Sequence, residues 1–394
     1  MTEWKEYKLG DLIKDIAAGP FGSNLKVECF VESGFPIIDG ANLKGFKVTD
    51  NITKFVTEEK ARSLHRSIAK RNDVIVTISG NVGQIAYIPN DSKFIEYLVS
   101  QRQFRVSFDE SAIDVPYLVY YFHTREGQHK ILSFANQVGV PALAQPLKNF
   151  KAIELNLPSL PTQRRIASIL SSLDDKIDLL HRENKTLEAM AETLFRQWFI
   201  EEAKEDWKEG KLGDIISVKG GTTPSTREPH FWNGDIAWTS PRDVTTLNGL
   251  YLFETEKKIT QKGLEQISSG LLPVGTLLMS SRAPVGVLAF SEIPITINQG
   301  YIAILDDKGY EKEFIYLWLK ANMDTIHSYS NGSTFMEISK SAFKSIDIVI
   351  PTKEEVNVFV DRVKPIFEKI KANVLQIQTL IQKRDILLPK LMSN

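Results

Sequence analysis

The chain repeats itself. Trp4-Lys5-Glu6-Tyr7-Lys8-Leu9-Gly10-Asp11 returns as Trp207-Lys208-Glu209-Gly210-Lys211-Leu212-Gly213-Asp214, 203 residues further on (207 − 4), with one mismatch in eight. A midpoint anchor keeps that offset, Val82-Gly83-Gln84-Ile85-Ala86-Tyr87 matching Val285-Gly286-Val287-Leu288-Ala289-Phe290. The first repeat also closes on a matched segment. Phe150-Lys151-Ala152-Ile153-Glu154-Leu155-Asn156-Leu157-Pro158 corresponds to Phe343-Lys344-Ser345-Ile346-Asp347-Ile348-Val349-Ile350-Pro351, now 193 residues on (343 − 150). Solenoid units run ~20–50 residues, so this period means two tandem domains of one fold. A domain duplicated in one chain points to a target with two parts.

Each repeat divides into a mixed segment and a helical tail, with Pro158, Pro161 and Pro351 at the transitions. Short apolar runs bounded by Gly, Asn and Pro, such as Asp73–Ile78 and Gly275–Ser280, predict strands. Tyr117–Phe122 and Phe314–Leu319 sit in longer aromatic-rich stretches without turn residues and predict helices. In the tails, Ile166, Leu170, Leu173, Ile177, Leu180, Asn184, Leu187, Ala191, Leu194 and Trp198 follow steps of four and three. So do Val356, Val360, Val363, Phe367, Ile370, Val374, Ile377, Ile381, Arg384, Leu388 and Leu391. Two sustained heptad seams predict a coiled coil, and an antiparallel pairing would place one mixed domain at each end. Pro365 cannot donate its backbone hydrogen bond, so a short helix is expected to break there and a long one to restart. The equivalent site, Ser172 before Asp174 and Asp175, reads as an N-cap. The long parts, about 26 residues each, would span ~40 Å at ~1.5 Å per residue. Asn184 on its apolar seam either fixes register or marks a solvated end. The expected fold is α+β: mixed domains at 1–158 and 205–350, helical spacers at 159–204 and 351–394.

With 42% hydrophobic and 25% charged residues the chain is ordinary globular material. Its single cysteine, Cys29, cannot form an internal disulfide. No signal-peptide pattern and no apolar run near the ~20 residues of a membrane helix appear, so a soluble cytoplasmic protein without a membrane partner is expected. The net charge of −1 argues against strong nonspecific, salt-driven binding to nucleic acid, although a local basic patch or a partner can supply cations.

Gly221-Thr222-Thr223-Pro224-Ser225 and Phe231-Trp232-Asn233-Gly234-Asp235-Ile236-Ala237-Trp238-Thr239-Ser240-Pro241-Arg242-Asp243-Val244 resemble the target-recognition domain of type I restriction-modification specificity subunits. Leu272–Leu278, the tail Pro161-Thr162-Gln163-Arg164-Arg165-Ile166-Ala167-Ser168-Ile169-Leu170 and the ending Leu194-Phe195-Arg196-Gln197-Trp198-Phe199 are similar to the same family. The resemblance covers nearly the whole chain. It implies that each mixed domain reads one half of a bipartite double-stranded DNA target and that the helices set the unread gap. It also implies two modification subunits that methylate adenine N6 with S-adenosylmethionine, and up to two restriction subunits that use ATP and magnesium, with no cofactor held by this chain. The first domain departs from the motif, with Ala18-Gly19-Pro20-Phe21-Gly22-Ser23 where the second has Thr-Pro-Ser.

Sequence readers need hydrogen-bonding side chains on loops and cations for phosphates. Lys60–Arg71 holds Lys60, Arg62, His65, Arg66, Lys70 and Arg71 and no acid. It is either a phosphate-contacting face or a solvated helix answering Glu58 and Glu59. After each central strand comes a turn, Ser79-Gly80-Asn81 and Ser281-Arg282-Ala283; asparagine suits adenine and arginine guanine, while ordinary turn geometry is the alternative. Arg242 and Asp243 are further candidates, though Asp243 could equally cap a turn, and Lys44, Thr223 and Arg227 complete the DNA-contact set under the resemblance. Trp232 and Trp238 read as packing aromatics rather than stacking platforms. A DNA-cleaving enzyme and a scaffold without DNA are the competing classes. The chain has no Asn/Asp-Pro-Pro-aromatic loop, P-loop or metal-spaced Cys/His cluster, and the acid spacings Asp50 with Glu58-Glu59-Lys60 and Asp243 with Glu256-Lys257-Lys258 need only common charged residues.

Overall fold

A computed structural model describes residues 4–136, 141–247, 249–332 and 336–393. It forms two compact units, Met1–Lys176 with Leu380–Asn394, and Ile177–Thr379.

In the first unit a four-stranded sheet runs in the order Ile13–Ala18, Gln103–Phe108, Val74–Thr77, Ile85–Tyr87, antiparallel throughout. In the second the order Ser217–Lys219, Tyr301–Leu305, Leu277–Ser280, Leu288–Ser291 is the same, with Tyr251–Leu252 added in parallel at the edge. Each unit has a second sheet containing one parallel pair: Phe35–Ile38 with Glu96–Val99, and Trp232–Thr239 with Ile295–Ile297. The sequence anchors meet in space. Lys5–Lys8 pairs antiparallel with Glu154–Leu157, and Lys208–Lys211 pairs likewise with Asp347–Ile350. Each repeat therefore closes on itself.

The expected helices form at Val115–His123 and Lys312–Ala321. The first starts where the Asp114 carboxylate accepts from the Tyr117 N–H, with Pro116 in the opening turn. It buries Tyr117, Leu118, Tyr120 and Phe122 against Val74, Val76 and Phe104 of the sheet and Ile166 and Leu170 of the tail. The second core gathers Phe195, Phe314, Phe343, Phe359 and Phe367.

The tails form helices at Leu160–Arg196 and Lys353–Met392, and neither contains the expected break. Pro365 lies on the exposed face of its turn, while Val363 and Phe367 on the other face are buried. Packing on both sides of the proline outweighs the missing hydrogen bond, and a proline facing solvent bends a helix without ending it. Ser172 is not a cap, since its hydroxyl bonds back to the Ile169 carbonyl. Asp174, expected in a first turn, is instead buried: it takes the Tyr120 hydroxyl and the Arg384 guanidinium, the latter at 2.9 Å. Burial opposes the charge on Arg384, but Asp174 and Asp385 outweigh it and raise its pKa.

Within the second unit the tail helices run antiparallel, Asn184 lying beside Asn373 and Phe195 beside Phe359. Asn184 is 6% and Asn373 1% exposed, and the Asn373 amide donates to the Asn184 oxygen at 2.8 Å and to Glu183 at 3.1 Å. Of the two readings of Asn184 this is the register device, because sliding either helix would bury both amides without partners. Asn373 stands one residue before the heptad position Val374, so the seam did not mark it.

Asn373→Ala should cost about 1–3 kcal/mol, because Asn184 stays buried without its donor, while replacing both by leucine should be near neutral or stabilising. Chemical denaturation of the wild type and both variants measures this. Glu313 is buried with Oε2 lacking a partner, and burial pushes its carboxyl up. A carboxyl raised in the fold contributes stability that is lost as pH rises through its folded pKa. Glu313→Gln should therefore raise the melting temperature at pH 8, with the gain vanishing toward about pH 4, where glutamate is protonated in either state.

Candidate nucleic-acid interface

Three loops converge at one end of the central sheet in each unit. In the first they are the segment after Gly19, the turn after Val74–Thr77 and the crossover from Glu96–Val99 into Gln103–Phe108. A Cβ on Gly19 would lie 1.9 Å from the Ser100 carbonyl oxygen, and one on Gly22 would lie 2.7 Å from Gln101 Oε1. The turn is tied to the crossover by Ile78 N–H donating to the Arg102 carbonyl at 2.7 Å. The second unit has a counterpart to each contact. A Cβ on Gly221 would lie 1.7 Å from the Ile297 carbonyl oxygen, the Thr223 hydroxyl donates to Gln299 Oε1 at 2.7 Å, and Ser281 N–H donates to the Gly300 carbonyl at 2.8 Å. Glycine, crossover glutamine and backbone bond are common, and the side chains around them differ. Such a scaffold holds variable loops rigidly.

The structure shifts the pairing of the turns by one residue. Ile78 and Ser281 make equivalent bonds, and Ser79 bridges Ala142 as Arg282 bridges Glu337. Arg282 therefore stands where Ser79 does. Ser281 is 3% exposed with its hydroxyl unpartnered, so it faces the core and not the rim. Asp243 is a cap: one carboxylate oxygen accepts from Ser240 N–H at 2.8 Å and from Thr239, the other from Glu256 N–H at 3.2 Å. Asn42 performs that task in the first unit, accepting from Asp39 N–H at 3.0 Å. Arg242 beside it is exposed, 4.0 Å from Glu256.

The basic segment is not one helix. It passes through a helix at Glu58–Ser63, a turn at His65–Ser67 and a strand at Ile68–Lys70. Arg62 answers Glu58 at 2.8 Å and Glu96 at 2.6 Å, Lys70 lies 3.5 Å from Glu96, and Arg71 donates to the Ser92 carbonyl at 2.8 Å. Burial raises the Glu96 carboxyl, yet Arg62 and Lys70 bring it below its ordinary value. These cations already hold internal partners. Arg66, Lys44 and Arg227 are exposed. Trp238 is buried, and Trp232 packs edge-on against it at 5.0 Å and donates to the Ser225 carbonyl.

Ser79 and Asn81 open onto a cleft of about 560 Å³ in the first unit, which also exposes Gln84, Gln101 and Arg102. The sequence reading missed Gln101, Arg102 and Gln299. The available signal was Gln101 and Gln299 in matching strand-to-strand connections, hidden because the offset there is 198 (299 − 101) and not 203. Among the described residues no cluster of three or more His, Cys, Asp or Glu could hold a metal, and Asp50 is engaged by Lys93 N–H and the Tyr97 hydroxyl. No described helix is long and apolar enough to cross a membrane.

The profile of the family described as "Type I restriction modification DNA specificity domain" matches residues 1–189 and again 204–383. The MjaIX specificity subunit of Methanocaldococcus jannaschii is 37% identical over 166 residues, a match covering 42% of this chain and 38% of that protein. The HindI specificity subunit of Haemophilus influenzae is 23% identical over the full length of both. In fold, the chain is similar to the crystal structure of a type I restriction-modification S subunit from M. genitalium, with a TM-score of 0.61, 17% identity and coverage of 100% and 97%.

The common scaffold predicts a stability effect. Gly19→Ala or Gly221→Ala drives a methyl into backbone, which cannot yield as a flexible side chain does, so each should cost about 1–3 kcal/mol or more. Thermal unfolding of the purified variants checks it, with Gly45→Ala, where no atom lies within 4 Å, as the control.

Proposed function

The chain belongs to the type I restriction-modification DNA specificity family, and from that premise we propose that each three-loop rim reads one half of a bipartite DNA sequence while the long helices set the gap. As a specificity subunit it recognises DNA, is not itself catalytic, and assembles with the other subunits of such a system. The observation that supports the division of labour is the duplicated rim: one scaffold, Gly19 with Gln101 and Gly221 with Gln299, carrying unlike side chains. Two readers of different half-sites need that combination of constancy and variation.

The finer roles extend this reading. Two similar tails offer two docking surfaces, and Leu179, Met190, Val358, Leu375 and Ile386 leave apolar groups exposed along them. We assign them to two modification subunits, which hold S-adenosylmethionine and methylate adenine N6; restriction subunits, where present, bring ATP and magnesium. Mapping N6-methyladenine across the host genome with and without this gene tests the core of the reading. Loss of a bipartite motif on deletion is expected, and an unchanged methylome would refute it.

Two predictions follow from the helices. Light scattering of the co-expressed complex should count two modification subunits per copy of this chain, and a one-to-one complex unchanged by excess partner would overturn the assignment. Inserting seven residues after Lys176 and seven after Thr379, both on the same side of the Asn184–Asn373 pair, keeps the heptad and that pair and adds ~10 Å at ~1.5 Å per residue. The gap should lengthen by about three base pairs at ~3.4 Å each with both half-sites unchanged, as read by methylome sequencing.

A further inference from the structure

The two rims differ in where they keep an arginine. Ile78 and Ser281 donate to the carbonyls of Arg102 and Gly300, so Arg102 and Gly300 are equivalent, as are Ser79 and Arg282. The first unit carries serine on the turn and arginine on the crossover loop; the second carries arginine on the turn and glycine on the crossover. The arginine has changed loops but not neighbourhood. A guanidinium nitrogen of Arg102 lies 3.8 Å from the position a Cβ on Gly80 would take, over the turn that in the second unit bears Arg282. A Cβ on Gly300 would lie 2.7 Å from Pro241, so the second unit has no room for a side chain at this crossover position.

Neither arginine is paired with an acid among the described residues. The acid lining the first cleft, Asp39, is taken by Lys54 at 2.7 Å and by the Ala41 N–H at 2.9 Å. This separates Arg102 from Arg62 and Lys70, whose charges are answered internally. A guanidinium left unpaired on a rigid rim offers a planar fork to a partner with two adjacent acceptors, and among base edges that partner is guanine through O6 and N7. Phosphate offers the same acceptors. The cleft favours a base edge, because Arg102 shares it with Asn81, Gln84 and Gln101, amides whose donor and acceptor pairs discriminate bases.

We propose that Arg102 and Arg282 are specificity-determining residues, each pairing with a guanine in its own half-site. The proposal rests on the reading of this chain as a DNA specificity subunit. Its test uses the full chain co-expressed with its modification partners, with methylated motifs mapped for the wild type, Arg102→Ala, Arg102→Lys, Arg282→Ala and Arg282→Lys. The expected result for Arg102→Ala is that guanine preference at one position of one half-site falls about 10-fold or more, with the other half-site unchanged, and that Arg282→Ala does the same in the other half. The lysine variants keep the charge but lose the fork, and should relax the same positions while sustaining methylation. Weaker methylation with an unchanged motif in both alanine and lysine variants would mean phosphate contacts and overturn the proposal, as would motifs identical to the wild type. A wild-type complex that yields no bipartite motif would instead remove the underlying reading.

Discussion

Each recognition unit depends on a four-residue ladder that pairs the beginning of a repeat with its end. Lys5–Lys8 against Glu154–Leu157, and Lys208–Lys211 against Asp347–Ile350, close about a hundred and fifty residues of chain onto the root of a long helix. Everything between lies inside that closure. The sheet order is the same in both units, the aromatic helix covers its face, and the three rim loops emerge at fixed positions relative to one another. The ladder uses backbone groups, which explains why it tolerates tyrosine at position 7 and glycine at position 210. The constancy of the frame and the freedom of the loops have this one origin.

Much of this was legible in the sequence. The matched octets are the two opening strands, the matched closing segments are their partners, and the heptad positions from Ile166 to Ala191 and from Val356 to Ile377 are buried or half-buried as their spacing requires. The misreadings share a physical cause. Pro365 was judged by the hydrogen bond it lacks, whereas Val363 and Phe367, on the opposite face, decide whether the helix continues. Asp174 was judged by its neighbours in sequence, but it is held by Tyr120 and Arg384, 54 and 210 residues away. At the rim, Ser281 and Arg282 were assigned to the turn one residue out of register, because local similarity does not reveal which backbone bond ties a loop down. Arg102 carries no motif at all, and only the carbonyl it shares with Ile78 places it.

Electrostatics explains why a near-neutral chain can still address a polyanion. Many of its cations are spent internally: Arg62 and Lys70 on Glu96, Arg105 on Asp15, Arg384 on Asp174. Nonspecific phosphate binding rests on a surplus of cations, and 48 Lys and Arg against 49 Asp and Glu leave none for sequence-independent attraction. Among the exposed cations, Arg66, Arg102 and Arg227 stand on turns and loops. A surface of this kind selects more than it attracts.

The closing ladder has a genetic consequence. Its register is the same in both units, Lys5 opposite Leu157 and Lys208 opposite Ile350, and its bonds ignore side-chain identity. Crossover between gene segments encoding these joints transfers a whole reading cassette with both of its edges already compatible with the recipient frame. In such an exchange the rim loops travel with the frame that fixes them, and the ladder itself needs no matching change.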